Sequence, residues 1–240
     1  MLQSHTLFII ICSNTKRRGG DNRYDTASGL TASLPSNLAQ DLLIVRRHVL
    51  GHIKQDSEKR DDVMLMDLPR NQTLVAGPDL GGKETTAQYL SAVSRYNGSF
   101  YRALGADAAQ VLSKSRHHIL VLSGLYGLLR ANELIQDYSC HVDDHPQIRP
   151  AWTAERQLTN FLLAYLKANA ITQIFDFTAL AGYRQLVNWN SVAQHGFQAW
   201  HAFGRQTVGD GLLTPLGELL GQWLRAPDDS VLTRVAAGDL

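Results

Sequence analysis

Between Leu122 and Tyr138 the chain gathers Ser123, Tyr126, Glu133, Gln136, Asp137 and Tyr138. Carboxylates this close together can stabilise positive charge on a reacting carbon, or orient and deprotonate a water. Gly124 and Gly127 frame Tyr126, and glycine permits close ligand approach that other residues forbid. The spacing therefore predicts an exposed Tyr126 ring, suited to stacking on a planar base. The plainer alternative is a tight strand-to-helix connection with Tyr126 and Tyr138 as packing. A second cluster, Lys16-Arg17-Arg18, stands beside a Gly-rich stretch and could hold phosphates.

These residues need a frame, and the hydrophobic pattern supplies one. Leu7 to Ile11 is a continuous apolar run of the kind that forms a buried parallel strand. His118 to Leu122, Ile171 to Phe177 and Phe197 to Phe203 read as further strands. Helices are expected over Leu38–Ile53, Thr86–Arg95, Phe100–Ser113, Pro150–Asn169, Leu180–Trp189 and Leu212–Leu224. Strands and helices alternate, which makes the class α/β with a mainly parallel central sheet flanked by helices. Ligands of such sheets sit outside the carboxyl ends of the strands. Three of those ends carry Ser13, Ser123 and Thr178, so they point to one site.

A single domain is expected over residues 1–226, with a long polar loop at 17–36, a solvated connection from Lys54 to Asp62 and a frayed tail at 227–240. Hydrophobic residues make up 44% of the 240 and the formal net charge is +1, so a sizeable core is possible and no global field selects a partner. Cys12 and Cys140 do not make a disulfide framework. No run reaches the ~18 apolar residues of a spanning helix. A cytoplasmic protein without membrane contact is expected.

Some motifs fall short of the chemistry they suggest. Gly77-Pro-Asp-Leu-Gly-Gly-Lys83 opens like a P-loop, yet Glu84 stands where Ser or Thr would hold Mg²⁺. A Gly-rich loop capping a helix is the simpler reading. Cys140-His141 and His145 lack the paired spacing of a structural zinc site and read as a polar surface loop. Arg46-Arg47-His48 reads as a solvated face.

Ser123-Gly-Leu-Tyr-Gly-Leu-Leu-Arg130, followed by Leu134-Ile135-Gln136 and Tyr138, closely resembles the central signature of the YaaA family, bacterial proteins linked to peroxide stress and DNA binding. Tyr96-Asn-Gly-Ser-Phe-Tyr101 is similar to its aromatic-Asn-Gly-Asp-x-Tyr element, Leu180-Ala-Gly-Tyr183 to its Leu-Ala-Ser-x-x-Tyr element, and Ser13-Asn-Thr-Lys16 to its Ser-Pro-Ala-Lys. There are departures. Ser99 replaces an acid, Asn14 and Asp137 replace prolines, and Glu133 replaces an Asp. The family's basic C-terminal helix is not recognisable, and the 17–36 loop is an insertion.

The resemblance implies a fold similar to that of uracil-DNA glycosylases, near a branch of antiphage DNA glycosylases. It leads to the expectation of an N-glycosylase acting on a modified or damaged base flipped out of DNA, such as a glucosylated hydroxymethylcytosine. Asp137 or Glu133 would stabilise the oxocarbenium-like sugar, and Asn14 the departing base. Ser13, Asn97, Tyr101, Ser123, Tyr126, Tyr138, Thr178 and Tyr183 would line the site, and Lys16, Arg17 and Arg18 would hold phosphates. Double-stranded DNA is the expected partner, with no metal, cofactor or obligate protein partner. The alternatives are a non-catalytic DNA-binding protein of oxidative stress and a P-loop-like nucleotide-binding enzyme.

Overall fold

The computed structural model describes residues 5–55, 64–204, 208–226 and 229–237. Its centre is a five-stranded sheet in the order β4-β3-β1-β6-β7. Strand β1 (Thr6–Ile11) lies in the middle and is buried along its whole length, as its unbroken apolar run demands. It pairs in parallel with β3 (His118–Ser123) and β6 (Gln173–Asp176), and β6 pairs in parallel with β7 (Gln198–His201). The antiparallel member is β4 (Gly127–Arg130), which folds straight back on β3. A separate short ladder joins β2 (Leu90–Ser91) to β5 (Leu134–Ile135).

Helices cover the sheet. The N-terminal half contributes α1 (Ser36–Gln55), α2 (Pro69–Gln72), α3 (Ala92–Arg95), α4 (Ser99–Leu104) and α5 (Ala108–Ser113). The C-terminal half contributes α6 (Ile148–Thr153), α7 (Gln157–Ala168), α8 (Ala181–Arg184), α9 (Trp189–Gln194), α10 (Leu213–Arg225) and α11 (Asp229–Ala237). Phe8 anchors the core, with its ring 5.7 Å from Phe175 and 4.9 Å from Trp223. Burying side chains of this size is worth about 1.5–3 kcal/mol each. No helix among the described residues is long and apolar enough to cross a membrane.

The α/β class and all four expected strands are present, and the departures have local causes. The turn from β3 into β4 places Gly127 at φ +69°, where a Cβ would lie 2.5 Å from the Trp152 ring. Strand rather than helix therefore follows Ser123. The expected helix at Thr86–Arg95 is extended up to its short ladder and helical only over α3. Phe100–Ser113 is split into α4 and α5 at Gly105, whose φ is +116°. Pro150–Asn169 is broken between α6 and α7 by the left-handed Glu155 and Arg156. The expected helix at Leu180–Trp189 is helical only over α8, and α9 begins at Trp189. The tail expected to fray contains α11, with Leu232 and Val235 buried. Of the expected connection at Lys54–Asp62, residues 56–62 lie outside the described residues; Lys54 is in the last turn of α1 and donates to the Asn71 carbonyl at 2.6 Å.

Candidate functional site

The carboxyl end of β1 runs through Cys12 and Ser13 into Asn14, Thr15 and Lys16. Lys16 turns inward. It is only 5% exposed, and its backbone is held by an antiparallel bridge to Tyr96. Its ammonium lies 4.0 Å from the centre of the Tyr138 ring and 5.7 Å from that of Tyr96. A cation over an aromatic face is attracted by the ring quadrupole, but burial still costs it hydration. Burial pulls the Lys16 amine down to about 8, although Cys12, Asp137 and Cys140 oppose the shift.

Beneath Lys16 runs a chain of hydroxyls. Tyr96 and Tyr138 are 2.8 Å apart at their oxygens, and Tyr138 meets Ser123 Oγ at 2.7 Å. Ser123 Oγ in turn accepts from the Tyr126 amide. Burial pushes both tyrosine hydroxyls well above their usual range. The Cys12 thiol donates to the Tyr183 hydroxyl at 3.2 Å, and burial pushes that thiol up too.

Two clefts approach this centre. The first, of about 430 Å³, is lined by Arg18, Arg70, Thr73, Gln88, Gln136 and Asp137 among others. Asp137 is 18% exposed at its side chain, with Oδ1 3.0 Å from Arg70 Nε. This is a charge contact whose angle misses hydrogen-bond geometry; among the described residues neither atom has a hydrogen-bond partner. Arg70 also donates to the Lys16 carbonyl at 3.3 Å, which ties the cleft wall to the buried lysine. The loop that carries Arg18 is pinned by Arg95, whose guanidinium donates to the carbonyls of Arg17, Gly19, Gln88 and Ile135.

The second cleft, of about 330 Å³, takes Cys12, Ser13, Asn14, Tyr101, His141 and Tyr183 into its walls. A Cβ on Gly98 would lie 2.2 Å from Ser13 Oγ, so a side chain there would make Ser13 turn its hydroxyl away. Tyr101 is buried and donates to the Ile11 carbonyl at 2.8 Å. Asn97 is half-buried, and its amide and carbonyl bind the Thr15 carbonyl and Arg102.

Several expected site residues stand elsewhere. Tyr126 is fully buried and cannot offer a ring face: its hydroxyl donates to Asp79 at 2.6 Å and accepts from the Gln136 amide at 3.0 Å. Glu133 is equally closed off, because Oε1 takes Arg46 at 2.7 Å and Oε2 takes the amides of Leu30 and Arg130. Thr178 is buried and commits its hydroxyl to Asp176, which also holds His201 at 2.6 Å and Arg184 at 3.2 Å. Tyr138 is buried as well, and reaches the site only as the floor under Lys16. Arg17 and Arg18 are exposed, and Arg18 lines the first cleft.

Arg46 was expected on a solvated face, but only its neighbours Arg47 and His48 are exposed. Leu42, Arg46, Val49 and Ile53 share one buried helical stripe, so a charge on the apolar face of α1 was the available signal. Asp79, Arg70 and Arg95 carried no such signal. Asp79 is buried under donors from Tyr126, Tyr89 and Gln136, within the segment that opens like a P-loop. That segment has no strand at 73–76 and no helix at 83–88, the frame a P-loop requires. Cys140 is buried, and the His145 ring stacks on His52 at 5.1 Å instead of facing Cys140.

The sequence pattern of the family described as peroxide stress protein YaaA matches residues 50–206. The matched span takes in Arg70, Tyr96, the Ser123–Tyr138 segment and Tyr183, while Cys12 to Arg18 precede it. A UPF0246 protein of Francisella tularensis subsp. tularensis is 30% identical over 107 residues, covering 38% of this chain and 42% of that protein. A UPF0246 protein of Bordetella pertussis is 43% identical over 56 residues, 22% of each chain. One of Paraburkholderia xenovorans is 38% identical over 87 residues, 33% of each. The chain thus spans less than half the length of the curated relatives it matches. With the family pattern running across most of the chain and through the centre of the site, this protein belongs to the YaaA peroxide stress protein family.

Proposed function

We propose that this protein hydrolyses the N-glycosidic bond of a modified base turned out of duplex DNA. The observation that carries this reading is Asp137: a carboxylate without a hydrogen-bond partner among the described residues, lining a polar cleft of about 430 Å³ between Arg70 and Arg18. A carboxylate oxygen closed off from solvent, as Oδ1 of this partly exposed side chain is, normally carries a hydrogen bond, and an exception calls for an explanation such as a catalytic role. A cleft of that size is in the range that holds a small-molecule ligand such as a nucleoside.

As the C1′–N bond lengthens, positive charge grows on the sugar and negative charge on the base. Asp137 stabilises the first and orients the attacking water. Arg70 and Gln88, lining the same cleft, can hydrogen-bond the departing base. Arg18 lines the cleft and the adjacent Arg17 is exposed beside it in the chain, and both could meet backbone phosphates. The predominance of polar groups suits a base decorated with a sugar. The same exposed arginines support a second reading, DNA binding without catalysis.

Base release separates the two. Duplexes carrying uracil, an oxidised base, glucosylated hydroxymethylcytosine or no modification are incubated with protein, and alkaline cleavage reports abasic sites. Cleavage of one modified duplex, lost in Asp137→Asn, is the expected result. Retained DNA binding with no release from any duplex would leave only the second reading.

A further inference from the structure

Among the described residues the buried cations are Lys16, Arg46, Arg95 and Arg184. The three arginines all donate to oxygens: Arg46 to Glu133 and several carbonyls, Arg95 to a ring of carbonyls, Arg184 to Thr178, Ala202 and Gly204 with Asp176 alongside. Lys16 does not. Its ammonium makes no hydrogen bond and no ion pair with any described residue, and rests on the face of the Tyr138 ring at 4.0 Å. A buried lysine kept for stability would be paired. An unpaired one, held in place and largely desolvated, is the setting in which an amine becomes a nucleophile.

Its place is as telling as its lack of partners. Cys12, whose thiol opposes the downward shift of the amine, lines the second cleft. Asp137 and Arg70, which also act on it electrostatically, line the first. Lys16 itself lines neither cleft, but residues that act on its amine line both, and its backbone is fixed by Tyr96 and by Arg70.

We propose that Lys16 is an imine-forming nucleophile that condenses with the ring-opened aldehyde of an abasic deoxyribose and cleaves the strand behind it. The inference rests on the glycosidic reading above for its substrate, and adds a second activity to it. The neutral amine attacks C1′, the carbonyl oxygen takes up a proton, and loss of one water leaves a protonated imine. Asp137, the carboxylate of the cleft, then takes a proton from C2′. The electrons left on C2′ expel the 3′ phosphate as the C3′–O bond breaks. One water hydrolyses the imine, releasing an unsaturated aldehyde and the free amine. No oxidant or cofactor is required. With the amine lowered to about 8, roughly a tenth of it is neutral at pH 7, far more than for a solvated lysine.

The test uses duplex DNA with a preformed abasic site, so that it does not depend on base release. The full-length protein is incubated with this duplex and sodium cyanoborohydride, and the reduced protein–DNA adduct is mapped by mass spectrometry. The expected result is an adduct on Lys16 that falls at least ~100-fold in Lys16→Met and is unchanged in Lys167→Met, which alters an exposed lysine. An adduct on another lysine, or one that survives Lys16→Met, overturns the proposal. So does the absence of any adduct from a protein that releases bases, which leaves the glycosidic reading standing. An adduct without base release would do the reverse. Should Lys16→Met not fold, the wild-type trapping rate decides: it should rise to about pH 8 and then level, whereas a rise continuing towards 10.5 would place the reaction on solvated lysines.

Discussion

Around Arg46 every charge is answered, whereas around Lys16 the charges face open clefts and an aromatic ring. Arg46 meets Glu133 at 2.7 Å with both side chains at 0% exposure, and its other donors end on the carbonyls of Asp79, Tyr126 and Leu128. Glu133 and Asp79 are likewise filled with donors. In the neighbouring region Lys16 has no acceptor among the described residues, and Asp137 meets Arg70 only at a poor angle. The two regions share residue types and a common sheet, yet one closes on itself and the other keeps its polar groups available. A buried ion pair with complete hydrogen bonding holds segments together. An incomplete one contributes less to stability and leaves its polar groups unsatisfied.

The comparison can be broken most decisively at Glu133. Glu133→Gln leaves Arg46 buried without its counter-charge, and should cost about 3–5 kcal/mol in urea unfolding. A loss near zero would mean that the network around Arg46 does not hold the fold. Asp137→Asn should do the opposite, with base release down ~100-fold or more and thermal stability nearly unchanged.

Tyr126→Phe removes a donor from Asp79 and an acceptor from the Gln136 amide. A loss of about 1–3 kcal/mol with unaltered DNA affinity is expected. Weaker binding at full stability would instead restore Tyr126 as a stacking surface. Lys16→Met sharpens the other half. Because folding lowers the amine from its ordinary 10.5 to about 8, the unfolded chain binds more protons between those values. The wild type should therefore gain stability as pH rises from about 8 to 10.5, by on the order of 1–3 kcal/mol relative to Lys16→Met. Parallel pH curves for the two proteins would show that Lys16 is not desolvated. The smallest effect belongs to Arg18→Ala, which should weaken DNA binding by less than ~10-fold and lower the salt dependence by about one counterion.

Much of the frame was legible in the chain. Leu7–Ile11 announces a central strand because only burial on both faces tolerates such a run. The convergence of strand ends follows from parallel pairing, and it brought Ser13 and Lys16 towards Ser123 and Tyr138. Helix lengths were less legible. The break between α6 and α7 rests on Glu155 and Arg156 in left-handed conformation, which neither residue type advertises. The burial of Tyr126 was hidden for a related reason: two flanking glycines state what the backbone can do, but burial depends on what folds over it.

The amino-acid sequence by itself determined the α/β class, the order of the strands along the chain and the short list of side chains able to do chemistry. Only the tertiary structure decided which of these side chains remain available. The partners that consume Glu133 and Tyr126 are Arg46 and Asp79, 87 and 47 residues away. Nothing in local spacing brings them together. Hydrogen bonds and charges are satisfied across space, so the absence of hydrogen-bond partners at the Lys16 amine and at Asp137 Oδ1 is decided by the neighbours the fold withholds from them.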